Sequence, residues 1–137
     1  MAAGGASSLG VVIMGVLTTT LIMIPFGIAT LVLDPASTSG TPDPEPIPLL
    51  LLIRVIFRSI AECAGGYLTS WMDQPRRYPH TIAMASVFLA VSLLVTALQS
   101  AGEPLWYTIA IMALPFAAAL VGAWGQQRYP LSFARSE

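Results

Sequence analysis

Four long stretches of the chain carry almost only apolar side chains, and polar residues gather in the segments between them. The stretches run from about 9 to 33, 47 to 71, 81 to 98 and 105 to 124. Each is close to the ~20 residues that an α-helix needs to cross the hydrocarbon of a bilayer. Barrel strands would be about half as long and would alternate strictly. The pattern predicts an all-α fold, a four-transmembrane-helix bundle forming one membrane domain over residues 1–137.

The first stretch could also belong to a secretory signal peptide. The residues before it, MAAGGASSLG, carry no basic side chain. The apolar run is also longer than the hydrophobic region of a signal peptide. We therefore expect this stretch to be retained as the first membrane span.

The composition favours a membrane protein over a soluble domain. Of the 137 residues, 55% are hydrophobic and 9% are charged, and the mean hydropathy is +0.75. About a quarter of the residues of a soluble domain are charged, and one small core cannot hide this much apolar surface. The net charge of −1 offers no basic face to nucleic acid. We expect the lipid bilayer as the main partner and no nucleic acid.

The charges between the apolar stretches predict the orientation. The Pro-rich segment 34–46 holds three acidic residues and no basic one, and the third connection holds only Glu103. The arginines outside the stretches all fall on the other side, at Arg76, Arg77, Arg128 and Arg135. Because basic residues favour the cytoplasmic side, we predict that both termini are cytoplasmic. The absence of Lys and Asn is typical of a GC-rich bacterial genome, so we expect a bacterial inner membrane.

Three tryptophans lie near the ends of the stretches and agree with this orientation. Trp71 and Trp124 fall at the cytoplasmic ends, and Trp106 falls at an outer end. The residues between Trp106 and Trp124 span about 27 Å as a helix, close to the hydrocarbon thickness of about 30 Å. Indole rings favour the headgroup level, so we expect the three side chains to be interface anchors.

The second stretch carries three ionisable side chains on one face. Arg54, Arg58 and Glu62 recur every fourth residue, so they share a stripe of the helix. Each charge at a bilayer centre costs about 2.5–3.5 kcal/mol on insertion scales, so the stripe should face protein or water. Arg58 and Glu62 form an i,i+4 pair within reach of a salt bridge. Arg54 can reach lipid phosphates or meet Glu103, Asp34 or another subunit.

Two functions fit this stripe. As a buried clasp, it would hold the second helix against another helix or subunit, with contacts worth about 0.6–2 kcal/mol each. As a pathway, it would carry an anion or a proton, with Glu62 titrating and Arg58 holding the charge. The other stretches contain no charged residue to complete a relay, which favours the clasp. We expect a non-enzymatic accessory subunit or homo-oligomer; the alternative is a small transporter or channel.

Small residues and prolines predict how the helices pack. Small side chains at helical spacing let membrane helices approach closely. The candidates are Ala61, Gly65 and Gly66 on the second helix, and Ala118 and Gly122 on the fourth. Pro25 and Pro115 each remove a backbone hydrogen bond and are expected to bend their helices. The threonines at 18–20 are expected to bond back to the backbone or across to a partner.

Chemistry-bearing residues are few. With one cysteine, Cys63, and one histidine, His80, the chain cannot form an intrachain disulfide, a bis-histidine haem site or a multi-histidine zinc site. No Ser/His/Asp set or phosphate loop is visible in the sequence. We therefore expect neither an enzyme nor a bound metal or cofactor.

Two segments of the C-terminal half, GGYLTSWMDQPRRYPHTIAMASVFLAVSLLV and PLWYTIAIMALPFAAALVGAW, carry recurring motifs. On these segments the chain resembles a broad set of small bacterial four-helix inner-membrane proteins. This chain and those proteins share a Gly-Gly pair late in the second helix and a basic turn after it. They also share a P-x-W-Y sequence at the start of the fourth helix and small residues at its end. The resemblance implies the fold and no activity. Small multidrug-resistance transporters have an acid in helix 1, and fluoride channels have a Gly/Arg opening; this sequence has neither.

Overall fold

The computed structural model describes residues 7–33, 48–72, 77–99 and 104–130. These residues form four α-helices: α1 at Ser8–Leu33, α2 at Pro48–Met72, α3 at Arg77–Gln99 and α4 at Leu105–Arg128. The prediction of an all-α fold is confirmed. Within these ranges α1, α3 and α4 are long and apolar enough to cross a membrane. α2 is not, because its charged stripe and its small, polar C-terminal half interrupt the apolar run.

Two helix boundaries lie four residues from the predicted ones, and a proline lies near each of them. α3 begins at Arg77, four residues before the predicted start, and contains Pro79 in its first turn. Proline is tolerated there because the first amides of a helix have no intrahelical acceptor. α4 continues four residues past Trp124 and ends at Arg128. The next residue, Tyr129, precedes a proline and leaves the helical region at φ −131° and ψ 67°.

The helix ends and interior prolines fit the local sequence. The Ser7 hydroxyl oxygen accepts a hydrogen bond from the Gly10 amide at 3.2 Å, which is the geometry of a serine N-cap. At the start of α4, the Pro104 carbonyl accepts from the Tyr107 amide at 2.9 Å. α1 and α4 each continue as a single helix through Pro25 and Pro115.

The four helices run alternately up and down. Leu51 of α2 packs against Tyr107 at the start of α4, and Ser70 near the end of α2 bonds to Ala123 near the end of α4. α2 and α4 are therefore parallel, and their contact is the most extensive in the bundle. α2 and α3 each touch all three other helices, whereas the described parts of α1 and α4 do not touch each other. α2 therefore packs against all three other helices on one side, while Leu49, Leu52 and Ile60 lie on its exposed side.

The core is small, and the outside of the bundle is apolar. One buried cluster joins Leu51, Val55 and Tyr107, and a second joins α3 to α4 through Met84, Ala85 and Ala119. Large apolar side chains stand outward along the helices; Leu9, Leu21, Val32 and Leu105 are each at least 66% exposed. An apolar surface of this extent requires an apolar environment or a protein partner.

Candidate functional site

The three ionisable residues of α2 lie inside the bundle rather than on its outer surface. Glu62 is 1% exposed, and Arg54 and Arg58 are half-buried. The stripe lies on the side of α2 that packs against the other helices, and it lines a cleft whose other walls come from α1, α3 and α4. The candidate acids Asp34 and Glu103 lie outside the described residues.

Arg58 connects α2 to α3. Its Nη2 donates a hydrogen bond to the Phe88 carbonyl at 3.3 Å and another to the Ser92 hydroxyl oxygen. Ser92 in turn donates its own proton to the Phe88 carbonyl at 2.6 Å. The guanidinium donates to one backbone acceptor and one side-chain acceptor on α3, and in this way it holds the two helices together.

Glu62 does not close the expected pair. Among the described residues, no ion pair joins Glu62 to Arg58, and the Glu62 Oε2 is buried without a hydrogen-bond partner. The i,i+4 spacing brings the two side chains to the same face, but the guanidinium extends to α3 instead. A buried acceptor without a donor is destabilising by about 1–3 kcal/mol, and Oε2 adds no hydrogen bond to the contact between α2 and α3.

A cavity of about 280 Å³ lies beside these groups. Its polar lining comes from the stripe and from hydroxyl groups of the other helices: Arg58, Glu62, Thr19, Thr20, Ser92, Thr96 and Tyr107. A second cavity of about 210 Å³ contains Arg54 and shares Arg58, Met23, Tyr107 and Ile111 with the first. The two spaces therefore adjoin, and all three ionisable residues of α2 line them.

Three of the five hydroxyl groups that line the cavity donate to the backbone of their own helix. Thr19 donates to the Gly15 carbonyl at 3.0 Å, and Thr20 donates to the Val16 carbonyl at 2.8 Å. This agrees with the expectation that the α1 threonines bond back along the helix. Ser92 also donates to its own helix, and its oxygen accepts from Arg58.

Close backbone contact between α2 and α4 explains the small residues. A methyl group on Gly66 would overlap the Ala119 carbonyl, and one on Gly122 would overlap the Cys63 carbonyl. Ala61 and Gly65 are also buried. Ala118 is only half-buried, and its neighbour Ala119 makes the contact instead. Inside a run of three alanines, the sequence gives no signal that separates the two positions.

A reciprocal contact joins α1 to α2. A methyl group on Gly15 would meet the Thr69 hydroxyl, and one on Gly65 would meet the Thr19 hydroxyl. Thr69 also donates to the Gly65 carbonyl at 2.8 Å and lies 3.4 Å from the Met84 sulfur of α3. Gly65 therefore serves the α1 contact, while Gly66 serves the α4 contact.

The tryptophans lie at the bundle ends with their rings partly outside. Trp71, Trp106 and Trp124 are 43%, 46% and 48% exposed. Trp71 and Trp124 lie at the C-terminal ends of the parallel helices α2 and α4, and Trp106 lies at the opposite end. Arg128 stacks over the Trp124 ring at 5.2 Å. Half-exposed rings at both ends fit an interfacial position.

Ser92 and Tyr107 are the site residues that sequence reasoning missed. A single serine within an apolar helix gives no signal, because such residues commonly bond to their own backbone. Within the described ranges, no three His, Cys, Asp or Glu side chains lie close enough together to hold a metal ion. No family model, curated protein or solved structure matches the chain.

Replacing Glu62 with methionine should raise stability. The substitution keeps a similar volume and removes a buried carboxyl oxygen that has no donor, so we expect the free energy of unfolding to rise by about 1–3 kcal/mol. Unfolding in detergent, followed by circular dichroism, measures the change. Ile60→Met on the outer face, where Ile60 is 55% exposed, is the control. A loss of stability specific to Glu62→Met would mean that the carboxyl is satisfied in the folded protein.

Proposed function

We propose that the chain is a multi-pass protein of the bacterial inner membrane, with all four helices crossing the bilayer and both termini in the cytoplasm. The alternating helix directions support this, because they bring both ends of the bundle to one side. The position of the charged stripe on the packed side of α2 supports it as well, because the exposed side of that helix is apolar. A helix carrying Arg54, Arg58 and Glu62 can lie at membrane depth when its charges face protein and a cavity.

Within the membrane the protein acts as a non-enzymatic structural component, either a homo-oligomer or an accessory subunit of a larger complex. The contact of Arg58 with the Phe88 carbonyl and Ser92 is the observation that carries this proposal. It uses an intramembrane charge to fix one helix against another, as a clasp does. Interhelical polar contacts of this kind are worth about 0.6–2 kcal/mol, so they define the arrangement more than they stabilise it.

The mass of the detergent-extracted assembly tests the structural role. Each chain contributes 14.5 kDa. We expect particles that contain several copies of the chain, or one copy with stoichiometric membrane subunits, when the tagged protein is extracted mildly and weighed by native mass spectrometry. A population of bare monomers over a range of mild detergents would contradict the proposal.

The orientation predicts a labelling pattern. In a Cys63→Ser background, Ser39→Cys in the Pro-rich segment should react with a membrane-impermeant maleimide in intact spheroplasts. Ser136→Cys in the C-terminal tail should react only after the membrane is permeabilised. Equal access at the two positions, or access at 136 alone, would contradict cytoplasmic termini and four crossings.

A second candidate function is a small transporter or channel. The observation that favours it is the pair of adjoining cavities lined by all three ionisable residues of α2. A clasp alone needs no open space beside its charges. Uptake of a radiolabelled solute by proteoliposomes that contain the pure protein is the direct measurement for this candidate.

A further inference from the structure

Glu62 is the one acidic residue within the described helices, and its carboxyl lies deep in the bundle without a hydrogen-bond donor. The residue is 1% exposed, and Oε2 has no partner among the described residues. Glu62 nevertheless lines the cavity of about 280 Å³. A buried carboxyl oxygen of this kind requires a donor or a proton from outside the polypeptide.

The cavity extends from Glu62 towards one end of the bundle. Along α3 its lining runs from Phe88 to Thr96, about 12 Å at the helical rise. Thr96 lies close to the end of α3, and Tyr107 lies in the first turn of α4. Both residues mark the end of the bundle at which α2 and α4 begin, which is the outer end in the proposed orientation. A polar space of this size holds water, so water connects Glu62 to that end.

Beyond Glu62, towards the cytoplasmic end in the proposed orientation, the helices are closely packed. Thr69, Thr81 and Met84 are each 0% exposed. A methyl group on Gly15 would overlap both the Thr69 hydroxyl and the Met84 sulfur. These contacts join α1, α2 and α3 in a packed layer, which separates Glu62 from the cytoplasmic end.

The groups around Glu62 permit both of its protonation states. The positive charges that line the cavities are Arg58, one turn away on α2, and Arg54. The described residues of α1 and α3 contribute hydroxyl groups and no charge to the lining, and α4 contributes the Tyr107 phenol. Burial disfavours a carboxylate, whereas a nearby guanidinium favours it. Arg58 bonds to α3, so no direct ion pair fixes the ionised form.

We infer that Glu62 is a reversible proton-binding site, which exchanges its proton with water in the cavity and is closed to the cytoplasmic side by the packed layer. The inference rests on the second candidate function, for which it names the proton as the ion. Transport would further require that the packed layer opens. Proton binding and proton transport are therefore separate properties, and separate measurements test them.

Carbodiimide labelling tests the proton site. Dicyclohexylcarbodiimide enters apolar regions and adds to a protonated carboxyl, and mass spectrometry of the purified full chain locates the adduct. In spheroplasts we expect labelling of Glu62 to fall about tenfold for each unit by which the outer pH exceeds the midpoint, as for a single acid. In inverted membrane vesicles, where the medium faces the cytoplasmic side, the same rise in pH should leave the labelling unchanged. Absence of labelling at every pH, or an equal response from both sides, would overturn the inference.

A cysteine pair tests whether the cavity contains water. In a Cys63→Ser background, Val91→Cys lies in the lining at a position 51% exposed, and Leu94→Cys lies outside the lining at a position 60% exposed. Leu94 is nearer to the outer end of α3, so depth alone favours its reaction. We expect a membrane-impermeant methanethiosulfonate to react about tenfold faster with Val91→Cys, because the reaction requires a hydrated thiolate. Equal rates, or a faster reaction of Leu94→Cys, would mean that the cavity is dry and would overturn the inference.

Proton uptake by proteoliposomes separates binding from transport. We expect an enclosed pH-sensitive dye to report uptake with the natural chain and none with Glu62→Gln, which cannot exchange a proton at this position. If Glu62→Gln does not fold, labelling of the natural chain still decides on the proton site. Labelling that follows the outer pH without any proton uptake would count against the transporter candidate and leave the proton site standing.

Discussion

Alanine at Gly66 or at Gly122 will separate α2 from α4 and destabilise the bundle strongly. A methyl group at Gly66 meets the Ala119 carbonyl oxygen, carbon and Cα, and one at Gly122 meets the backbone of Cys63 and Tyr67. Backbone atoms cannot rotate away as a side chain can, so the helices themselves must move apart. Overpacking usually costs about 1–3 kcal/mol and sometimes more, and we expect about 3 kcal/mol for either substitution.

Gly125 provides the matched control on the same helix. A methyl group there meets no atom within 4 Å, so Gly125→Ala should gain up to about 1 kcal/mol from helix propensity. Unfolding of the three variants by denaturant in the same detergent, followed by near-ultraviolet circular dichroism, measures the differences. Equal stability of Gly122→Ala and Gly125→Ala would show that α2 and α4 are not in backbone contact.

The length of the apolar stretches was sufficient to predict the helices, but it did not predict where each helix ends. Apolar stretches of about 20 residues between polar connections favour a membrane-spanning helix, and α1 and α2 begin within one residue of the expected positions. The apolar run begins at about residue 81, whereas α3 begins at Arg77 and carries Pro79 in its first turn. The rigid φ of proline suits a first turn, so the sequence alone does not distinguish a start at Arg77 from a start at residue 81.

The face of the stripe was predictable, but its partner was not. Residues spaced by four lie on one side of a helix wherever that helix is placed. Which group the Arg58 guanidinium reaches depends on the neighbouring helix, and Ser92 lies 34 residues away in the chain. For the same reason, the sequence does not show whether Ala118 or Ala119 contacts α2. The two positions have identical neighbours in a run of alanines, and only the packing of the helices distinguishes them.

Exchanging the charges of Arg58 and Glu62 should not rescue the bundle. A direct pair would tolerate Arg58→Glu with Glu62→Arg better than either single change. In this structure Arg58 bonds instead to α3, so a carboxylate at 58 would face the Phe88 carbonyl. A guanidinium at 62 would be enclosed at a position that is 1% exposed. We expect each variant, including the double exchange, to lose about 3–5 kcal/mol, because each leaves a buried charge without a partner.

A double-mutant cycle on Arg58 and Ser92 distinguishes the loss of their contact from a general loss of stability. Arg58→Met and Ser92→Ala, singly and together, should show a coupling energy of about 0.6–2 kcal/mol in the free energy of unfolding, the range of polar contacts between membrane helices. Thr96→Ala, four residues further along α3 on the same cavity, should show little coupling to Arg58. Retained stability in the charge exchange, together with zero coupling to Ser92, would place the partner of Arg58 back on its own helix. The clasp between α2 and α3 would then have no physical basis, because both of its acceptors lie on α3.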